Sequence, residues 1–178
     1  FELVSENSKD LIGLHHLDGS FEYISPSVKS ALGYDQEELI GKSPEEFIHK
    51  DDLDELKNGA YKMARAGKTI TNLEYRFRKK NGDYLWFEAH ASPILNDNKE
   101  VISFQTSSRN VTSKKEEEAK VKRYQMGLQL INDLASETSL NYDQLLEKGI
   151  EVVCQYLDLP IGIISKIEGD NYTVKHFY

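Results

Sequence analysis

The spacing of apolar positions changes several times along the chain, and each change marks an element. Leu11-Ile12-Gly13-Leu14 and Phe21-Glu22-Tyr23-Ile24 are short apolar runs on either side of Asp18-Gly19. Asp-Gly between such runs is a tight-turn signal, so the chain opens with a β-hairpin. Ser25-Pro26 supplies an N-cap followed by proline at the first helical position. Val28, Ala31 and Leu32 give that helix an apolar stripe, and Gly33 ends it. Ser43-Pro44-Glu45-Glu46 starts another helix, with Ser43 and Glu46 at capping-box spacing. Behind Asp51 and Asp52, the residues Leu53, Leu56, Ala60, Met63 and Ala64 recur at helical spacing, with Gly67 as the C′ residue.

From Leu73 the period falls to two. Leu73, Tyr75 and Phe77 alternate with Glu74, Arg76 and Arg78, and Asn81-Gly82 makes the next hairpin turn. Leu85, Phe87, Ala89 and Ala91 alternate with Tyr84, Trp86, Glu88, His90 and Ser92. After Asn96-Asp97-Asn98 a third run covers Val101 to about Ser108. Two strands, a cluster of helices and three antiparallel strands predict an α+β domain, with the helices on one face of a five-stranded antiparallel sheet.

Beyond Thr112 the pattern is helical again. Lys114-Lys115-Glu116-Glu117-Glu118 is surface-type, and Val121, Tyr124, Leu128, Ile131 and Ala135 then step by 3, 4, 3, 4. That is an a/d seam of about two heptads. It fits a parallel dimer, and it equally fits an amphipathic helix packing on its own domain. A further helix covers Tyr142–Leu157, with Leu146, Ile150, Val153 and Leu157 on one face and Pro160 after it. Ile161–Ile167 and Tyr172–Phe177 flank Glu168-Gly169-Asp170-Asn171 as a hairpin. One helix and one hairpin make too small a core to stand alone, so this part reads as the beginning of a second domain, or as a hairpin that pairs with another chain. The divisions are residues 1–112, a helical linker over 113–140, and 141–178.

Composition narrows the class. Hydrophobic residues make up 39% of the 178, and the net charge is −8. Disorder along the whole chain is excluded on this basis, and nucleic acid is not expected as a partner. No apolar run approaches the roughly 20 residues of a membrane span, so membrane contact by this segment is not expected and a cytoplasmic location is. A single cysteine, Cys154, leaves no internal disulfide framework and no thiolate zinc cluster. At a helical position it reads as a small buried hydrophobe.

Several short motifs then occur in order. Tyr23-Ile24-Ser25-Pro26-Ser27, Leu32-Gly33-Tyr34, Glu38-Leu39-Ile40-Gly41-Lys42, Phe47-Ile48-His49, Asp51-Asp52-Leu53, Arg78-Lys79-Lys80-Asn81-Gly82 and Trp86 together closely resemble a PAS sensory domain. Arg109-Asn110-Val111-Thr112 and its charged follow-on resemble that family's C-terminal exit motif. The resemblance covers roughly Ser5 to Glu118. Leu159-Pro160-Ile161-Gly162, Ile163-Ile164-Ser165 and Glu168-Gly169-Asp170, with the preceding helix, resemble the first third of a GAF domain.

The resemblance implies a signalling input module that senses a small molecule, light, redox state or oxygen, or that mediates dimerisation. It implies a homodimer and a downstream output domain in the same polypeptide. That output is most often a sensor histidine kinase, with a diguanylate cyclase or phosphodiesterase as the alternative. Asn110 stands where the exit motif usually has aspartate, which puts a charge-based link between exit motif and sheet in doubt.

Candidate chemistry is sparse. Haem-binding members place a histidine on the long helix, and Asp52–Ala66 has none, so haem is not expected. A cysteinyl–flavin adduct is excluded because Cys154 lies outside the PAS region; flavin held without cysteine stays open. His49 fits a structural position of the family, and capping accounts for Asp51 and Asp52, so no metal site is expected. His15 and His16, adjacent on a strand, point to opposite faces. No nucleophile motif, phosphate loop or kinase signature is present, and no catalytic activity is expected of this segment. The helix-facing sheet surface is assigned Tyr75, Phe77, Phe87, Ala89, Ala91, Phe104 and Thr106, opposite Leu32, Leu39, Phe47, Leu56 and Met63. These enclose either a packed core or a small ligand cavity. The opposite strand parity would instead put Trp86 and His90 inside.

Overall fold

A computed structural model describes residues 10–60, 62–63, 66–136, 140–168 and 171–177. It divides into two compact units, Phe1–Lys115 and Glu116–Tyr178.

The first unit is built on strands β1 (Leu11–His15), β2 (Phe21–Ile24), β3 (Ile70–Arg78), β4 (Tyr84–Leu95) and β5 (Val101–Asn110). They form one antiparallel sheet in the order β2-β1-β5-β4-β3. The turn between β1 and β2 closes because Asp18 Oδ1 accepts from the Ser20 amide at 2.9 Å and hydroxyl at 2.6 Å, with Gly19 at φ 95°. Gly82, at φ 97°, turns β3 into β4. A bulge interrupts the β3–β4 register between Ile70 and Leu73, where Asn72 takes φ 57°. The alternation of short-period residues does not signal it.

Between β2 and β3 lie short helical pieces. Helix α1 is Ser27–Leu32 and α2 is Gln36–Leu39; 3₁₀ turns follow at Pro44–Glu46 and Lys50–Asp52. Gly33 ends α1 in the left-handed conformation at φ 83°. Ser25 does not cap α1: it is fully buried, and its hydroxyl accepts from the Ile12 amide at 3.0 Å and bonds Ser27 Oγ at 2.7 Å. The hydroxyl joins helix entry to sheet instead. Ser43 and Glu46 form the expected capping box, on a 3₁₀ turn.

The long helix expected after Asp52 is present and contains a π-helical turn. Helix α3 covers Leu53–Glu55 and passes directly into the π turn, Leu56–Ala60, and Lys62 and Met63 are helical again. A π turn takes more residues per revolution than an α turn, so the apolar stripe loses phase across it. Ala64 lies outside the described residues. The core gathers Val28, Leu32, Leu39, Phe47, Phe77 and Phe87 between these pieces and one sheet face.

Helix α4 (Thr112–Ala135) carries the chain into the second unit, which continues with α5 (Tyr142–Leu157), β6 (Ile163–Glu168) and β7 (Asn171–Phe177). Asn141 caps α5 in a box with Gln144. The buried face of α5 runs through Ile150 and Cys154, while Val153 and Leu157 are exposed. The expected stripe is therefore rotated toward Cys154, which packs where Gly162 lets the chain pass close to the helix. Strands β6 and β7 pair antiparallel; Gly169 and Asp170 of their turn lie outside the described residues. Among the described residues no helix is long and apolar enough to cross a membrane.

Candidate functional site

Strand β4 sets the parity of the site. Phe87 and Ala89 are buried on the helix-covered face, whereas His90 is exposed and Trp86 lies on the outer face. The inner face encloses a cavity of about 80 Å³. Leu32, Leu56, Tyr75, Phe77, Ala89, Ala91, Phe104 and Thr106 all line it. Leu39, Phe47 and Phe87 are buried in the surrounding core, off the cavity wall. Met63 is a correction: it is 44% exposed, because the π turn rotates the following residues away from the sheet.

Two polar pairs stand on the wall. His15 Nε2 lies 2.9 Å from Thr106 Oγ1, and His15 Nδ1 lies 3.1 Å from the Gly19 carbonyl. Tyr75 Oη lies 3.0 Å from Ser108 Oγ. Burial pulls the His15 pKa down to about 4, partly opposed by the Gly19 carbonyl bond, with a small further lowering from His16. The ring is therefore neutral at pH 7. Inward placement of His15 follows from alternation with Leu11 and Gly13, a signal readable in β1 but not used to place it on the wall. His16 is exposed on the other side.

The outer face holds the charges. Asp52 accepts three hydrogen bonds from Arg76: the backbone amide at 2.8 Å, Nε at 3.0 Å and a terminal nitrogen at 2.6 Å. Partial burial raises the Asp52 pKa, and these bonds more than offset it, leaving the carboxyl below its ordinary value. The Arg76 guanidinium lies 5.1 Å from the Trp86 ring centroid and the Lys115 ammonium 5.6 Å. Lys115 also pairs with Glu74 at 2.5 Å.

The exit residues bind to this same strand. The Val111 amide donates to the Trp86 carbonyl at 2.8 Å, and the Trp86 amide donates to Thr112 Oγ1 at 2.9 Å. Asn110 Oδ1 accepts from the Thr112 amide at 2.9 Å, a cap that an amide serves as well as a carboxylate. Arg109 pairs with Asp10 at 3.2 Å. The charged link to the sheet thus comes from Lys115, one turn into α4, rather than from position 110.

In the second unit, α4 turns Gly127 toward α5, where a Cβ would sit 2.9 Å from the Tyr156 ring. Arg123 lies 5.4 Å from that ring centroid. Val121, Tyr124, Leu128, Ile131 and Ala135 remain exposed, Tyr124 by 68% and Leu128 by 62%.

Residues 21–107 match the family model described as PAS fold. Over 90 residues, 51% of this chain, the sequence is 37% identical to hypoxia-inducible factor 1-alpha of Xenopus laevis, covering 11% of that protein. It is 33% identical over 92 residues, 52% of this chain, to the aryl hydrocarbon receptor nuclear translocator homolog of Drosophila melanogaster, covering 14% of it. The match therefore spans only a small part of these relatives' length.

Among solved structures, the PAS domain of a Colwellia psychrerythraea protein superposes with TM-score 0.57 at 20% identity, covering 62% of this chain and 93% of that one. The N-terminal domain of a diguanylate cyclase with PAS/PAC sensor from Marinobacter aquaeolei gives 0.54 at 23%, covering 60% and 98%. Drosophila melanogaster Cycle PAS-B with bound ethylene glycol gives 0.51 at 22%, covering 56% and 98%. With its five-stranded sheet, helical cluster and exit segment in this order, the part of the chain containing residues 21–107 is a PAS domain.

Proposed function

We propose that this chain is the sensing input module of a larger signal-transduction protein, in which the state of the PAS cavity is passed through α4 to an output domain. The observation that carries the reading is the double duty of β4. Its inner residues Ala89 and Ala91 line the cavity, while its outer Trp86 is bonded to Val111 and Thr112 and covered by Lys115. A ligand that favours one arrangement of this strand shifts the population of the exit segment by its difference in affinity. Cycle PAS-B, of the same fold, is named with a bound small molecule, ethylene glycol.

The remaining assignments complete the proposal. Residues 113–140 are the transmitter, and 141–178 the start of a GAF-like domain. The exposed row Val121, Tyr124, Leu128, Ile131 and Ala135 is the seam of a homodimer. A sensor histidine kinase is the favoured output and a cytoplasmic location is inferred. A diguanylate cyclase is the competing output, since one neighbour of the same fold is the N-terminal domain of a diguanylate cyclase with PAS/PAC sensor.

Native mass spectrometry of the purified chain, with its absorption spectrum, tests the core of this reading. Retained mass that is lost on denaturation and absent from Ala89→Phe is the expected result, because the phenyl group fills the cavity. A clean dimer with no retained mass, unchanged after incubation with small molecules, supports a ligand-free interaction module instead.

A further inference from the structure

We propose that the cavity selects a small uncharged ligand with a compact apolar body and one hydrogen-bond donor, such as an alcohol, received by the Thr106 hydroxyl oxygen. The inference rests on reading the cavity as a ligand site.

Among the described residues, no Asp, Glu, Lys or Arg lines the cavity. An ion entering it would lose its hydration and meet no opposite charge, which excludes carboxylates and ammonium groups. The volume of about 80 Å³ is smaller than the roughly 150 Å³ of an apolar cavity that holds benzene, so the occupant has only a few non-hydrogen atoms.

The direction of the hydrogen bonds then decides which polar group fits. The Gly19 carbonyl can only accept, so His15 Nδ1 carries the proton. A neutral imidazole protonated there has its lone pair on Nε2, and the Thr106 hydroxyl 2.9 Å away must donate to it. Burial keeps the ring in that neutral form. The single Thr106 proton is thereby used, and what Thr106 Oγ1 still offers is an acceptor.

Gly13, His15 and Thr106 line the cavity together. A Cβ at Gly13 would lie 2.6 Å from Thr106 Oγ1 and 2.8 Å from His15 Nε2, so the missing side chain is what lets this pair close against β1 at the cavity wall. Tyr75 and Ser108, the second pair on the wall, keep one hydroxyl proton beyond their mutual bond, which an alcohol and a ketone can each accept. Only the alcohol can also donate to Thr106.

The test uses 2-propanol, acetone and acetate, which share shape and differ in polar group. Each is titrated into the isotopically labelled chain while the amide signals of Gly13, Thr106 and Ser108 are followed. We expect 2-propanol to bind about tenfold more tightly than acetone, the scale of one net hydrogen bond, and acetate to leave these signals unmoved. Thr106→Val should lower 2-propanol affinity by about the same factor, and Thr106→Ser should keep it. Equal binding of acetone, or binding of acetate at these residues, overturns the donor selectivity and leaves the cavity standing as a ligand site. No response to any of the three, nor to xenon, overturns the ligand-site reading and this inference together.

Discussion

His15 links the cavity to the stability of the sheet. Its folded pKa of about 4 lies below the value of 6.5 for an unburied histidine. Between those values the unfolded chain takes up a proton that the folded chain refuses. Stability is therefore complete above pH 6.5 and is lost as pH falls toward 4, by roughly 3 kcal/mol for a shift of this size. Asp52 does not contribute in this window, because its pKa is lowered further from an already acidic value. Urea unfolding at pH 7 and pH 4.5 should show the wild type losing about 2–3 kcal/mol more than His15→Gln. Equal losses would mean that His15 titrates normally. The same imidazole explains the glycine two residues earlier: any Cβ at Gly13 collides with the His15–Thr106 pair.

Strand β4 is the element that borders both the cavity and the exit segment. Its pleat puts Ala89 against the cavity and Trp86 against α4, with no intervening layer. The charged part of the link is the Glu74–Lys115 pair, whose side chains are 35% and 25% exposed. Partial exposure and screening hold its coupling to about 0.5–1 kcal/mol, with the Trp86 ring adding to the Lys115 side. A double-mutant cycle with Glu74→Gln and Lys115→Met should return a coupling of that size. The fluorescence of Trp86, the one tryptophan of the chain, should shift in Lys115→Met. Strict additivity with an unshifted spectrum would remove Lys115 from the link. The element that departs most from expectation is the helix after Asp52. Its residues keep helical spacing, but the π turn at Leu56–Ala60 breaks the phase, sending Leu56 to the cavity and Met63 to solvent.

The whole molecule comprises two units that share α4. In the second unit, α4 uses Gly127 to approach Tyr156 and leaves the row from Val121 to Ile131 exposed. Four large apolar side chains aligned on one exposed helical face are what a dimer seam requires. If this row joins two chains, Leu128→Asp with Ile131→Asp should convert dimer to monomer in light scattering, with the circular dichroism of the first unit retained. An unchanged mass would dismiss the seam. Tyr124, Leu128 and Ile131 of this row also border a groove with Val152, Val153 and Tyr156 of α5.

The succession of strands and helices, the turns at Gly19 and Gly82, the end of α1 at Gly33 and the alternation along β4 were determined by sequence alone. Each depends on neighbours two to four residues away, through period, turn chemistry or the conformational freedom of glycine. The tertiary structure decided what depends on distant contacts. Ser25 bonds the Ile12 amide across the sheet instead of capping its own helix, and Lys115 supplies the charge contact that Asn110 does not. Asn72 takes up a bulge, and the face of α5 turns toward Cys154. Thr106 becomes an acceptor at a cavity only because His15, 91 residues earlier, is folded against it with its proton directed to Gly19. Local pattern specifies which face a residue occupies; which partner it meets there is set by how the faces close on one another.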